Sequence, residues 1–351
     1  MSMVDGPIDP ATGLPCSICS DGNFIRLDAT GRDEMRAELA GWKDVCGAPL
    51  DREAMLARAA AIPMLRSAGV LGEESGAMLE RLLAAYDARE STEVALPEDA
   101  YDALALRLRV RVDAAAAVGE IANFTNELAE RGGVEDAHAY VFAAWAASAM
   151  RAGEALWSAA KRADELPIGA SLDAEHRAVA AEPLGISGMS ESALDVAGDV
   201  EFAVELATGA ARVTAALARI AADAEAWLAR GAKLHDEADA PARAFFAALG
   251  PASSAASADQ AALLDAARRA PFGTAPWADA RRIAIDHGAR VRASVRAMRY
   301  ALYRLVLTGA PAPAPPARIG EILAALRAAV YDASYRVGNV PALDDARRAI
   351  G

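Results

Sequence analysis

Apolar residues recur at steps of three and four along most of this chain, and runs of strict alternation are nearly absent. Steps of three and four mark helices that bury one face, whereas alternation would mark half-buried strands. From Asp51, an N-cap residue, Met55, Ala59, Ile62 and Leu65 follow at helical spacing, and Pro63 is expected to kink or shorten that helix. A helix restarts after Gly72. Pro97, Glu98 and Asp99 open the next one, over residues 101–130, because proline suits a first turn and acids suit the positive helix end. Arg131-Gly132-Gly133 stops it. Residues 136–162 form another helix, with Trp145, Ala149, Leu156 and Ala160 on one face. The stretch 163–192 reads as irregular apart from a short helix over 174–181. Phe202, Leu206, Val213, Leu217, Ile220, Ala224 and Trp227 then predict one helix over 193–230, on the order of 55 Å long. Residues 231–280 look less regular, and GPASSAASADQ reads as a small, polar, flexible loop. Residues 278–307 and 319–335 are helical again, on either side of the Pro/Ala linker GAPAPAPPAR. Residues 1–30 are loop. The predicted fold class is all-α, divided into an N-terminal part (1–95), a central long-helix bundle (96–310) and a C-terminal linker with helix (311–351).

Composition supports the helical reading. Of the 351 residues 54% are hydrophobic but only 5% aromatic, and alanine carries much of the apolar count. Alanine is the best helix former and leaves little side-chain volume, so helices can pack closely. The net charge of −13 speaks against a nucleic-acid partner and against an anionic membrane surface, both of which need concentrated Lys and Arg. A small carboxylate-bearing substrate stays compatible, since the run Arg281, Arg282, Arg290, Arg292, Arg296, Arg299 and Arg304 is locally basic. No apolar run approaches the roughly 20 residues of a membrane span. The first residues carry no basic or apolar leader segment, so the chain reads as cytoplasmic.

Candidate chemistry is sparse. Cys16 and Cys19 form a C-x-x-C, but a zinc knuckle needs a second pair and only Cys46 remains, so reduced thiols in a loop segment are the plainer alternative. His138, His176, His235 and His287 show no metal-binding helical spacing, and no nucleotide-binding or hydrolase motif is present. No metal and no organic cofactor are expected. His138 opens a helix, where it is either a general base or a cap-region histidine; Ser253 and Ser254 either serve a mobile lid or lie in a linker. The stretch LGISGMSESALDVAGDVEFAVELA loads a helix start with Glu191, Asp195, Asp199, Glu201 and Glu205. Acids favour a helix N-terminus, but like charges four apart repel, so cap effects or partner arginines must compensate.

That stretch resembles a segment of the argininosuccinate lyase group in the fumarase/aspartase superfamily, of the form L-G-F-x-G-x-x-E-N-S-x-D-A-V-S-D-R-D-F-x-x-E. Leu184, Gly185, Gly188, Glu191, Asp195, Asp199, Phe202 and Glu205 fit it. LPIGAS (166–171), AAAIPMLRSAGVLGEES and AALARIAADAEAWL are similar to further family segments, so the resemblance covers roughly residues 50–230. It implies a long-helix bundle, truncated toward the C-terminus, that assembles as a homotetramer with each active site shared by three subunits. It also implies cofactor-independent β-elimination. A loop serine takes a proton alpha to a carboxylate, the amine leaves, and loop Lys and Asn stabilise the doubly charged intermediate. The chain departs from the family where that chemistry sits. The G-S-S-x-M-P-x-K-x-N signature is missing and GPASSAASADQ is its nearest positional candidate; LPEDAY stands for S-R-N-D-Q, and RGGVEDAH for T-H-x-Q-x-A-Q-P. The roles implied are Ser253 or Ser254 as base, His138 or Glu98 as acid, and Arg107, Ser192, Arg282 and Arg290 as substrate-binding groups. The expectation is a lyase acting on an amino-acid-derived or succinyl substrate in specialised biosynthesis. A catalytically degenerate scaffold homologue, and a cyclase or isomerase using the same cavity, are the alternatives.

Overall fold

The computed structural model describes residues 51–72, 98–131, 138–189, 192–234, 240–269, 277–303, 305–306, 316–338, 340 and 343–350, the strands 8–9 and 14–15, and positions 77, 79 and 81. The cysteines, His235, most of the helix expected after Gly72 and the Pro/Ala linker lie outside the described residues.

Helices dominate the described chain: α1 (Asp51–Ser67), α2 (Glu98–Arg131), α3 (Ala139–Arg162), α4 (Ala174–Ala181), α5 (Ala193–Gly198), α6 (Glu201–Ala229), α7 (Ala240–Arg269), α8 (Trp277–Tyr303), α9 (Ile319–Gly338) and α10 (Leu343–Ile350). Two antiparallel pairs of two-residue strands accompany them: β1 (Ile8–Asp9) with β2 (Leu14–Pro15), and β3 (Lys233–Leu234) with β4 (Leu305–Val306). The second pair ties the exits of α6 and α8 together. The all-α expectation holds.

The bundle is built around α6. Its predicted stripe, from Phe202 and Leu206 to Ala224 and Trp227, is buried throughout. α3, α7 and α8 cover it, and α2 packs in turn against α3, α8 and α9. The apolar face of α6 is therefore covered within the chain. Small residues let the helices approach. A Cβ added at Gly209 of α6 would lie 2.7 Å from Leu156 Cδ2 and 2.9 Å from the Leu156 backbone nitrogen. A second core joins Leu56, Ala60 and Met64 of α1 to Leu104 and Leu108 of α2, to Leu166 and Leu184 of the connecting segment, and to Ala346 of α10.

Four local expectations change. The helix predicted over 193–230 is two helices, because Asp199 is extended (φ −76°, ψ 128°) and its Oδ1 accepts from the Glu201 backbone N–H at 2.7 Å, starting α6 afresh. Pro63 lies inside α1, which runs to Ser67; the exit turn places Gly69 at φ +70°, a left-handed conformation that glycine adopts freely. The tail after residue 338 contains α10. The fourth change is the largest: GPASSAASADQ is no loop but the middle of α7, with Pro251 inside the helix. Its alanines supply helix propensity, and burial of Phe246, Leu249, Ala256 and Leu263 outweighs the cost of Gly250-Pro251.

Candidate functional site

The irregular segment 163–200 crosses the first turns of α2 and the N-terminal end of α6. An irregular chain buried in a helical protein carries backbone carbonyls that no helix satisfies. Three arginines answer them. Arg107, fully buried on α2, donates to the carbonyls of Arg162 (2.7 Å) and Val196 (2.9 Å) and to Asp199 Oδ2 (3.1 Å), and its guanidinium lies 4.5 Å over the Phe202 ring. Arg111 donates to the carbonyls of Leu184 (3.0 Å) and Gly185 (2.5 Å), and Arg177 to that of Leu166 (2.8 Å). Gly185 is left-handed at φ +58°. Burial pulls the Arg107 guanidinium below its ordinary pKa, opposed by Asp199. The segment closes on itself where the Leu166 N–H donates to the Gly188 carbonyl, the Gly188 N–H donates to the Asp164 carbonyl (both 3.0 Å), and Ser187 Oγ donates to Asp164 at 2.5 Å.

The carboxylates of the helix start are answered the same way. Arg162, at the end of α3, pairs with Glu201 at 2.8 Å and also with Glu205. Asp199 holds Arg107, and Ser192 caps α5 by accepting from the Asp195 N–H at 3.2 Å. The structure thus brings Arg107 and Ser192 into one neighbourhood, and there both fasten backbone.

The other expected site residues lie elsewhere. Ser253 Oγ donates to the Ala211 carbonyl at the middle of α6, and Ser254 Oγ to Gly250 within α7. The mobile-loop placement expected for both serines is therefore corrected: they belong to a continuous helix. His138 occupies the N-cap position of α3 without a side-chain cap bond, and its ring stands edge-on to Trp227 at 5.4 Å, near the far end of α6. At 1.5 Å per residue, Asp199 and Ala211 are roughly 18 Å apart along α6, and Ala211 and Trp227 roughly 24 Å. Within one chain Arg107 and Ser192 lie by the start of α6, Ser253 by its middle and His138 by its far end, so these groups are not gathered. Glu98 is the first residue of α2 and Arg282 lies on α8, but both side chains fall outside the described residues. Only residues 235–239 lie between β3 and α7, too few for the ten positions of the family's loop signature.

The arginine run of α8 largely serves α2. Arg292 pairs with Asp113 at 3.1 Å, Arg296 with Glu120 at 2.8 Å, and Arg299 with Glu120 at 2.9 Å and Glu127 at 2.5 Å. Arg290 lies 3.7 Å from Asp286 of its own helix. Because the Arg299 contacts are mostly shielded from water, a double-mutant cycle between Glu127→Gln and Arg299→Gln should return a coupling of about 1–2 kcal/mol. The exposed Arg348–Asp345 pair should return less than about 0.5 kcal/mol. Urea unfolding of the single and double variants checks both.

One ionisable pair escaped the sequence reading. His287 of α8 is buried, with Nε2 3.2 Å from Asp259 Oδ2 of α7. Burial lowers its pKa below 6.5; Asp259 and Asp286 oppose this and Arg290 assists. The unfolded chain therefore binds the proton more readily than the folded one. His287 contributes a stability loss that sets in as pH falls below about 6.5 and grows down to its depressed folded pKa. Replacing His287 by Gln should flatten the pH dependence of the urea midpoint between about pH 7 and pH 5.5 relative to the wild type. Nothing in local sequence marks this pair, since its members sit on different helices.

Among the described residues, no group of three or more His, Cys, Asp or Glu side chains is arranged to hold a metal ion, and no helix is long and apolar enough to cross a membrane.

No family model and no curated protein matches the sequence. Solved structures do match the fold. An EDDS lyase variant with bound fumarate and EDDS lyase in complex with formate each superpose with a TM-score of 0.62 at 14% identity, covering 90% of this chain and 92% of theirs. A fumarate lyase:delta crystallin from Brucella melitensis in native form matches at a TM-score of 0.55 and 14% identity, over 82% of this chain and 86% of that one. The chain shares its long-helix bundle fold with these structures.

Proposed function

We propose that this protein is a lyase catalysing cofactor-independent β-elimination on a carboxylate-bearing, amino-acid-derived or succinyl substrate, releasing fumarate or another unsaturated acid. The observation that carries the reading is a shared architecture, over nine-tenths of the chain, with a lyase known in a fumarate-bound form. The argininosuccinate lyase group is the proposed ancestry, on the strength of the Leu184–Glu205 segment. Specialised biosynthesis in the cytoplasm is the proposed setting.

The spread of candidates along α6 adds a condition. A site using Ser253 or Ser254 as base, His138 or Glu98 as acid, and Arg107, Ser192, Arg282 or Arg290 toward carboxylates must be completed between copies of the chain. A homo-oligomer, a tetramer by resemblance, is therefore part of the proposal. Light scattering should give a mass well above one chain, and fumarate should raise the thermal midpoint of that species. A monodisperse monomer without a fumarate shift would sink the proposal.

A second reading has its own support. The helical placement of both serines, and the pairing of Arg292, Arg296 and Arg299 with α2 carboxylates, favour a scaffold or partner subunit without turnover. That reading predicts the oligomer but no turnover on any succinyl adduct.

A further inference from the structure

We draw no further inference here: the strongest candidate, the exposed alanine- and serine-rich face of α7 that runs from Ser254 through Ala258 and Ala261 to Leu264, carries nothing because nothing in the structure shows what covers it.

Discussion

Replacing Arg107 by Leu is expected to cost about 3 kcal/mol of unfolding free energy, the largest effect of any single charged residue in the described chain. The guanidinium is fully buried, and its removal strands three acceptors at once: the carbonyls of Arg162 and Val196, and Asp199. Leucine restores apolar contact with Phe202 but none of the hydrogen bonds, and a stranded buried acceptor costs about 1–3 kcal/mol. Partial exposure of Asp199 keeps the total from being larger. Arg107→Lys should still lose about 2 kcal/mol, because a compact ammonium cannot reproduce the guanidinium fork. Arg162→Leu provides the contrast. That side chain is half-exposed though it pairs with two glutamates, so its removal should cost less than about 1 kcal/mol. Urea midpoints at constant m-value measure all three. If Arg107→Leu matched Arg162→Leu, the segment 163–200 would not be held as described.

Gly209→Val should destabilise by about 3 kcal/mol or more, by forcing α3 and α6 apart. A Cβ at this position falls 2.7 to 2.9 Å from Leu156 atoms, one of them the backbone nitrogen. A backbone atom cannot rotate aside as a flexible side-chain end can, so two helices must separate and their shared core must repack. Gly209→Ala gains helix propensity of about 1 kcal/mol but meets the same Leu156 contacts, and should still lose about 1–2 kcal/mol net. Gly320, in the first turn of α9, has nothing within 4 Å of its Cβ position. There Ala should be neutral or stabilising by a few tenths of a kcal/mol. Thermal unfolding of the two alanine variants side by side checks the sign of each.

The fold was legible where local pattern and packing agree. α4 falls where the spacing placed it, and α2, α3, α8 and α9 within a few residues, since each carries a continuous apolar stripe. It was illegible where one residue type serves two purposes. The serines and Gly250-Pro251 of α7 carry turn signals, yet the alanines between them and the burial of Leu249 and Ala256 against the bundle prevail. The break at Asp199 depends on Arg107, 92 residues earlier, and no local window contains both. The arginine run of α8 does carry a signal in retrospect: Asp113, Glu120 and Glu127 recur every seven residues on α2, and Arg292, Arg296 and Arg299 follow at steps of four and three on α8, so each set keeps to one helix face. Read alone, the same run resembles a patch for a substrate carboxylate. The candidate site was legible only through the Leu184–Glu205 segment. Buried arginines hold the backbone of that segment in place, while Ser253 and Ser254 lie on α7 and His138 caps α3, each at a different level of the bundle.

Elimination is measured most directly as product formation by the purified protein. Succinyl adducts of amino acids and simple amines should be incubated with the chain and the ultraviolet absorbance of a new unsaturated acid followed, with fumarate confirmed by mass. Steady release of fumarate or a related unsaturated acid from at least one adduct, without added metal or cofactor, is expected. A folded, oligomeric protein that releases no unsaturated acid from any adduct would contradict it and leave the scaffold reading in its place.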